Sequence, residues 1–263
     1  MAPNATAAVP SMSSLKAGKP PAPPSVPGAG RLYRPIDWLV FGLVTLFVLL
    51  GYLYTIAPDL TLEDSGELAV GSMYAAVPHP PGYPVWTIYS WLFTKILPFS
   101  NIAWRVAVSS AVAAALSAGL TGLLISRGAS LIIEGLEFGR DLDARAMNLI
   151  SVVSGFVGGA LLGYNGYIWS QGVIVEVYTL AVLNLMCVLA ALMRYTWAPD
   201  QNRWLLLAWF LFGLCFCNHQ TLIVGAMGIE VGVSKASIMG GRPRPVSRQY
   251  DRVVADARVA LRG

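Results

Sequence analysis

Residues 36–57 read IDWLVFGLVTLFVLLGYLYTIA, an apolar run with Asp37 near its start and Pro58 just after its end. A helix needs about 20 apolar residues to cross ~30 Å of hydrocarbon, so this run predicts a first transmembrane span. Only 12% of the 263 residues are charged and 56% are hydrophobic, whereas soluble domains carry about 25% charged residues. The chain is therefore predicted to be an integral membrane protein with several spans.

Further apolar runs predict that the fold is all-α: a polytopic transmembrane helical bundle of about six spans. The run at 102–125 has a centre rich in Gly, Ala and Ser, residues that allow helices to pack closely within lipid. The later spans are expected at residues 102–125, 149–163, 173–192, 204–216 and 222–233.

Residues 85–99, VWTIYSWLFTKILPF, are apolar but too short for a comfortable span. Thr87, Ser90 and Thr94 recur at helical spacing and form a polar stripe, which predicts a helix lying in the membrane surface. If this helix lies in the surface and does not cross the membrane, all of the 18 Lys and Arg residues except Lys95 and Arg105 fall on one side of the membrane. The positive-inside rule then predicts a cytoplasmic N-terminus.

The predicted organisation has three parts. Residues 1–34 are rich in Ala, Pro and Ser and are expected to be a disordered cytoplasmic N-terminus without a cleaved signal peptide. Residues 35–233 form the transmembrane domain, in which 58–101 is an external loop, and 234–263 form a basic cytoplasmic tail. The length and the missing signal peptide suggest a bacterial inner membrane. No stretch interleaves basic and aromatic residues, so a nucleic-acid partner is not expected.

Most of the candidate chemistry lies in the external loop, where residues 64–84 read DSGELAVGSMYAAVPHPPGYP. Asp64 and Glu67 would share the first turn of a helix over 65–76. They form either a capping box or, partly desolvated, a general base and its companion. His79, just before Tyr83 in the rigid PHPPGYP segment, either marks a helix stop or is presented to an anionic group such as phosphate.

The remaining candidates lie at other predicted outer ends of spans. Arg105 either reaches the headgroups or binds a lipid phosphate, since guanidinium matches phosphate geometry. Glu176 is near the outer end of a span, where an acid is costly and often functional. Asn218 and His219 are a further polar pair, or simply a neutral helix terminus. No Walker loop, HExxH motif or nucleophile elbow is present, so ATP-driven or zinc-dependent chemistry has no sequence support.

The block EDSGELAVGSMYAAVPHPPGYPVWTIYSWLFTKILPFSNIAWRV, residues 63–106, resembles a family of polytopic membrane glycosyltransferases of the GT-C class. Its animal members are protein O-mannosyltransferases acting on plexin-type receptors. WSQGVIVEVYTL (169–180) and CNHQT (217–221) are similar to later external segments of that family. The resemblance covers roughly residues 36 to 230.

The resemblance implies a GT-C-like enzyme that moves a sugar, mannose by analogy with the animal members, from a polyprenyl-phosphate donor to a hydroxyl acceptor on the outer face. Asp64 would be the base and Glu67 would orient it or the sugar, in one inverting displacement. His79 and Arg105 would hold the donor phosphate. The other candidates for donor binding are Tyr83, Glu176, Asn218 and His219.

The implied partners are a lipid-linked sugar donor, a protein or glycan acceptor, and membrane lipids. Some GT-C enzymes bind a divalent metal through loop acids. None is expected here, because few carboxylates are available.

The family continues for several more spans and often a soluble domain, whereas this sequence ends in a basic, polar stretch unlike the family. We therefore expect a truncated member. A transporter or channel, and an inactive truncated scaffold, are the alternative interpretations. The transporter interpretation would suit polar residues placed in the middle of spans.

Overall fold

The computed structural model describes residues 31–61, 63–136, 142–198 and 201–218, and within these ranges every regular element is an α-helix. The all-α prediction is therefore confirmed. The helices are α1 (Pro35–Thr55), α2 (Ser65–Tyr74), α3 (Pro84–Ile96), α4 (Ile102–Glu134), α5 (Ala144–Gly163), α6 (Gly166–Gly172), α7 (Tyr178–Trp197) and α8 (Asn202–Phe216).

Four helices are long and apolar enough to cross a membrane: α1, α4, α5 and α7. They correspond to the first four predicted spans. The fifth, predicted at 204–216, corresponds to α8, whose 15 residues rise only about 22 Å. The sixth, predicted at 222–233, lies outside the described residues, as do most of the N-terminal segment and the whole basic tail.

The end of α4 and the start of α5 differ from the predicted boundaries, because polar residues there form hydrogen bonds within the protein. Helix α4 continues nine residues past 125, where the hydroxyl of Ser126 bonds to Asp37 (2.6 Å) and Arg127 bonds to Ser130 (2.9 Å). Helix α5 starts at Ala144, because Asp143 accepts a hydrogen bond from the backbone N–H of Ala146 at 2.8 Å.

The spanning helices alternate in direction, as contacts at the two ends of the bundle show. At one end, Asp37 meets Ser126, and the guanidinium of Arg34 donates to Ser151 at 2.8 Å. At the other end, the N–H of Ala57 donates to the carbonyl of Val173 at 2.8 Å. The end of α1 and the start of α7 therefore lie together, far from Asp37.

The predicted external loop, residues 58–101, starts and finishes at that second end of the bundle, because the amide of Asn101 donates to the carbonyl of Pro58 at 3.0 Å. Helices α2 and α3 lie between these two residues, and the return of the chain to the same end is what we expect of a segment that does not cross. Helix α3 has 13 residues, fewer than a span requires.

The polar stripe of α3 faces the protein, whereas an isolated surface helix would turn it to water. Thr87, Ser90 and Thr94 are buried, and Ile88 and Ile96 are more than 60% exposed. Burial costs little because every hydroxyl of the stripe has a partner. Ser90, for example, bonds to the hydroxyl of Ser72 on α2 at 2.7 Å.

Glycines allow α1, α4 and α5 to approach closely. A Cβ added to Gly155 of α5 would lie 2.6 Å from the carbonyl oxygen of Gly122 on α4, and one on Gly159 would lie 2.7 Å from that of Ala118. Backbone atoms cannot move aside as a side chain can. The small residues singled out in the sequence therefore hold the spans that support the external loop.

We expect Gly155→Ala to lower stability by about 1–3 kcal/mol, because the new methyl group forces α4 and α5 apart. The matched control is Gly42→Ala on α1, where an added Cβ meets nothing within 4 Å. Thermal unfolding of the detergent-solubilised protein would measure both. Equal midpoints for the two variants would contradict the close-packing interpretation.

Candidate active site

Asp64 and Glu67 lie where the loop enters α2, and the capping-box alternative is wrong. Asp64 is the residue preceding α2, and its backbone carbonyl accepts from Leu68 at 2.9 Å. Among the described residues, its carboxylate accepts no hydrogen bond from the first turn of the helix. Glu67 does not reach back to this turn either; both its oxygens contact His79, which is twelve residues further along the chain.

Glu67 and His79 form a two-point contact. The backbone N–H of His79 donates to Glu67 Oε1 at 2.6 Å, and its ring Nδ1 lies 3.1 Å from Oε2. Since an ionised carboxylate only accepts, Nδ1 is assigned the proton. These hydrogen bonds from His79 lower the pKa of Glu67, and the bond from the imidazole ring has a larger effect than the bond from the backbone N–H. Glu67 is therefore ionised at neutral pH. The contact fixes the ring and leaves Nε2 for other partners.

The second ring nitrogen of His79 faces Asp64 and Tyr83. Nε2 lies 3.9 Å from Asp64 Oδ2 and 3.3 Å from the Tyr83 hydroxyl. A neutral imidazole accepts the hydrogen of Tyr83 here, and a protonated one donates toward an acceptor. The structure thus brings four predicted site residues together, three of them around one imidazole.

The PHPPGYP segment presents His79 through a tight turn. The N–H of Gly82 donates to the carbonyl of His79 at 2.9 Å, and Gly82 has φ +90°, a backbone conformation that suits glycine. Tyr83 then precedes α3 and is nearly buried. The segment separates α2 from α3, as the helix-stop alternative predicted. The presentation of His79 to an anionic group stays a prediction.

Glu176 lies in the segment that joins α6 to α7 and is 4% exposed. Its backbone carbonyl accepts from the indole of Trp86 (3.0 Å) and from the hydroxyl of Ser110 (3.1 Å), and that hydroxyl in turn accepts from the Glu176 N–H (3.2 Å). Its carboxylate Oε2 accepts from the N–H of Val177 at 3.0 Å. This glutamate is therefore held by α3 and α4 at the start of α7.

Burial raises the pKa of Glu176 to about 7, against the opposing hydrogen bond from Val177, and the negative charges of Glu63 and Asp64 raise it further. Tyr83 lies near Glu176 and also near Asp64 and Glu67. Burial raises the pKa of Tyr83, and the charges of Glu176, Asp64 and Glu67 add to the rise. Glu176 and the two acids beside His79 therefore all lie close enough to Tyr83 to act on its hydroxyl electrostatically.

Arg105 is engaged elsewhere in this structure. Its guanidinium donates to three backbone carbonyls, those of Thr94 (3.1 Å), Phe99 (3.0 Å) and Ser100 (2.9 Å). It thereby ties the end of α3 to the first turn of α4. The predicted binding of a donor phosphate by Arg105 would require some of these bonds to open, and it stays a prediction.

Asn218 follows α8, which packs on α7 through Val188, Phe212 and Cys215. Its side chain is fully buried, and its amide nitrogen and oxygen have no hydrogen-bond partner among residues 31–61, 63–136, 142–198 and 201–218. The structure does not bring Asn218 to the group around His79. His219 lies outside the described residues, so its predicted role stays a prediction.

Sequence reasoning missed Glu63, whose negative charge contributes to the raised pKa of Glu176. The adjacent acid in the EDSGE run was the available signal. Its direction could not be read, because Glu63 adopts a left-handed backbone conformation with φ 68°. The anchoring of Glu176 by Trp86 and Ser110 was missed as well, since it joins residues far apart in the chain.

Asp64, Glu67 and His79 each offer a ligand atom, and these atoms lie within 4.8 Å of one another, close enough to share a cation. Both oxygens of Glu67 already accept from His79, so we assign this group to hydrogen bonding. The sequence expectation of a site without a metal stays a prediction.

Comparison with known proteins places these residues in a family. A family model described as the Protein O-mannosyl-transferase TMEM260 N-terminal domain matches residues 64–233. The chain is 24% identical over 188 residues to Protein O-mannosyl-transferase TMEM260 of Mus musculus, a match covering 70% of this chain and 24% of the mouse protein. It is 32% identical over 74 residues to the tmem260 protein of Dictyostelium discoideum, covering 27% and 9%.

No solved structure matches the chain. The matched region spans about a quarter of the mouse relative's length. It contains Asp64, Glu67, His79, Tyr83 and Glu176, the residues that converge in the structure. The resemblance seen in the EDSGE and HPPGYP motifs is thereby confirmed, and the chain belongs to the Protein O-mannosyl-transferase TMEM260 N-terminal domain family.

Proposed function

We propose that this protein is an integral membrane glycosyltransferase that moves mannose from a polyprenyl-phosphate donor to a hydroxyl of a protein acceptor. The observation that carries the proposal is the convergence of Asp64, Glu67, His79 and Glu176 at one end of the bundle, within the segment shared with O-mannosyltransferases. An acid, an oriented imidazole and a neighbouring lipid phase are what the transfer of a lipid-borne sugar requires.

In the proposed reaction, the oxygen of the acceptor hydroxyl bonds to the anomeric carbon of the sugar. Asp64 accepts the proton of that hydroxyl at the same time. The bond from that carbon to the phosphate oxygen breaks, and its electron pair leaves with the phosphate. The single displacement inverts the anomeric centre. Asp64 is suited to this role because its carboxylate is 60% exposed and can reach an acceptor.

His79 stabilises the leaving phosphate in this proposal. Glu67 holds Nδ1, so Nε2 is directed to the space beside Asp64 and donates to the phosphate when the ring is protonated. Glu67 is thus a positioning residue. The hydroxyl of Tyr83, which lies beside Nε2 of His79, is a second hydrogen-bonding group next to the proposed phosphate position.

We further propose that the site is on the outer, non-cytoplasmic face, with the N-terminus in the cytoplasm. Arg34 just before α1, Arg127 on α4 and Arg194 on α7 lie at the end of the bundle opposite the site, which supports this orientation under the positive-inside rule. The sequence expectation of a bacterial inner membrane stays a prediction, because the two relatives named above are eukaryotic. A transporter is less well supported, since the clustered acids lie outside the spanning helices.

Asp64→Asn should reduce sugar transfer by roughly 100-fold or more, the usual effect of losing a general base. The assay follows labelled mannose from polyprenyl-phosphate mannose to an acceptor protein, with the full chain in lipid nanodiscs. Asp59→Asn is the matched control: Asp59 is an exposed acid of the same loop that accepts only from its neighbour Leu60 among described contacts, and asparagine keeps that bond. Equal activity of the two variants would remove Asp64 as the base.

Treatment with EDTA should leave the rate of transfer unchanged, because hydrogen bonds from His79 orient Glu67 without a cation. The measurement compares the rate before chelation, after it, and after Mg²⁺ or Mn²⁺ is returned. A loss that either metal restores would show that the acids act as ligands.

A further inference from the structure

Two guanidinium groups lie against a single indole at the start of α8, at the end of the bundle opposite the candidate active site. The Cζ atom of Arg194, in the last turn of α7, is 5.6 Å from the centre of the Trp204 ring, and that of Arg203 is 5.4 Å from the same ring. An aromatic ring attracts each cation, but the two cations repel each other. The group therefore carries positive charge that an anion would stabilise.

Gln201 orients two members of this group. Its Oε1 accepts from Nη2 of Arg203 at 3.1 Å and from the indole Nε1 of Trp204 at 3.0 Å. Because Gln201 is neutral, it fixes the guanidinium of Arg203 without cancelling its charge. Nη1 of Arg194 has no hydrogen-bond partner in the described part of the chain. Both arginines are thus positioned, and hydrogen-bonding capacity is left over.

The acids described at this end of the bundle do not balance the two charges. Neither Arg194 nor Arg203 forms a salt bridge within the described ranges. Asp37 and Glu134 pair with other arginines, and Asp143 caps the first turn of α5. An anion that neutralises the two arginines must therefore come from outside the described residues.

An exposed apolar stripe continues from Arg203 along α8. Leu206, Leu207 and Phe210 are all exposed, and they follow Arg203 at i+3, i+4 and i+7, so the four residues share one helix face. Phe210 lies about 10 Å further along the helix axis than Arg203.

The stripe runs from the boundary of the membrane toward its interior. Trp204 meets Arg194 at the end of α7, whereas Phe212 packs against Val188, nearer the middle of α7. The two helices are therefore antiparallel. A molecule with an anionic head at Arg203 could lay a hydrocarbon chain along the stripe.

We propose that an anionic phospholipid binds here, in the leaflet opposite the candidate active site. Its phosphate is held by Arg194 and Arg203 beside Trp204, and one acyl chain lies along Leu206 and Phe210. Guanidinium matches phosphate in charge and geometry, and basic recesses between spanning helices suit lipid headgroups. A free phosphate would satisfy the charge but leave the stripe without a partner. The inference does not depend on the proposed function.

Native mass spectrometry of the full chain, transferred from detergent, measures this binding through the lipids that stay bound. We expect the wild type to retain one phosphatidylglycerol more tightly than phosphatidylcholine, whose choline group cancels the phosphate charge. Arg203→Gln should weaken the affinity for phosphatidylglycerol roughly tenfold, because a charged hydrogen-bonding partner of the phosphate is lost. The matched control is Arg145→Gln, an exposed arginine in the first turn of α5 at the same end, which should leave the affinity unchanged.

The apolar stripe is tested on the same lipid. Phe210→Ala should weaken the binding of phosphatidylglycerol, whereas Trp209→Ala, which removes an exposed aromatic ring from another face of α8, should not. Inorganic phosphate and glycerol 3-phosphate should not displace the lipid at the same concentration. Displacement by either one would show a site for the phosphate alone and would contradict a phospholipid.

Equal retention of the two lipids by the wild type would overturn the proposal, as would equal affinities of Arg203→Gln and Arg145→Gln. Asp200, which lies between α7 and α8 in the sequence and outside the described residues, is the competing anion. If the wild type has no lipid preference and Asp200→Asn gains one, the chain neutralises its own arginines and the proposal is wrong. Arg203 and Arg145 are both exposed, so these two variants keep the packed core intact.

Discussion

The backbone carbonyl of Glu176 accepts hydrogen bonds from two other elements, the indole of Trp86 on α3 and the hydroxyl of Ser110 on α4. Residues 173–177 are not helical, so their peptide groups need partners outside a helix, and an unpaired group would be costly at the boundary of a membrane. These two bonds satisfy the carbonyl of Glu176. They also fix where the loop that carries α2 and α3 docks, because they tie α3 and α4 to the segment just before α7. The relative positions of Asp64 and Glu176 follow from this docking.

The site contains acids in opposite electrostatic situations. Glu67 is half exposed and receives two hydrogen bonds from His79, so its charged form is favoured. Glu176 is enclosed and faces other acids, so its neutral form is favoured. Groups whose environments push their pKa values apart can divide the roles of acid and base between them. Here the two environments differ in burial, because Glu67 is in the exposed loop and Glu176 is buried against the helices.

Much of the fold was readable from the sequence because long apolar runs have a single stable solution in lipid. Residues 36–57 and 102–125 predicted α1 and α4, and the distribution of Lys and Arg predicted that α3 does not cross. The ends of α4 and α5 were not readable, since they depend on partners such as Asp37 and Asp143. Periodicity alone does not show whether a polar residue will find such a partner.

The candidate site was predicted less completely, and for a related reason. Asp64, Glu67 and His79 share a short segment rich in turn residues, so their proximity could be anticipated. The direction of Glu67 could not, because a capping box and a contact with His79 fit the same spacing. Glu63 and Arg105 show the same limit. The charge of Glu63 acts on Glu176, over a hundred positions away, and Arg105 donates to backbone carbonyls at and just after the end of α3.

The outward side of α3 is largely apolar, with Ile88, Leu92 and Ile96 exposed and Lys95 exposed near its end. Contact of this face with the hydrocarbon layer would bring the loop that carries the acids level with one leaflet. A molecule anchored by a long hydrocarbon tail would arrive by lateral diffusion within that leaflet, a two-dimensional search. Its encounter rate would depend on its surface density among the lipids, and dilution of the surrounding aqueous phase would leave that rate unchanged.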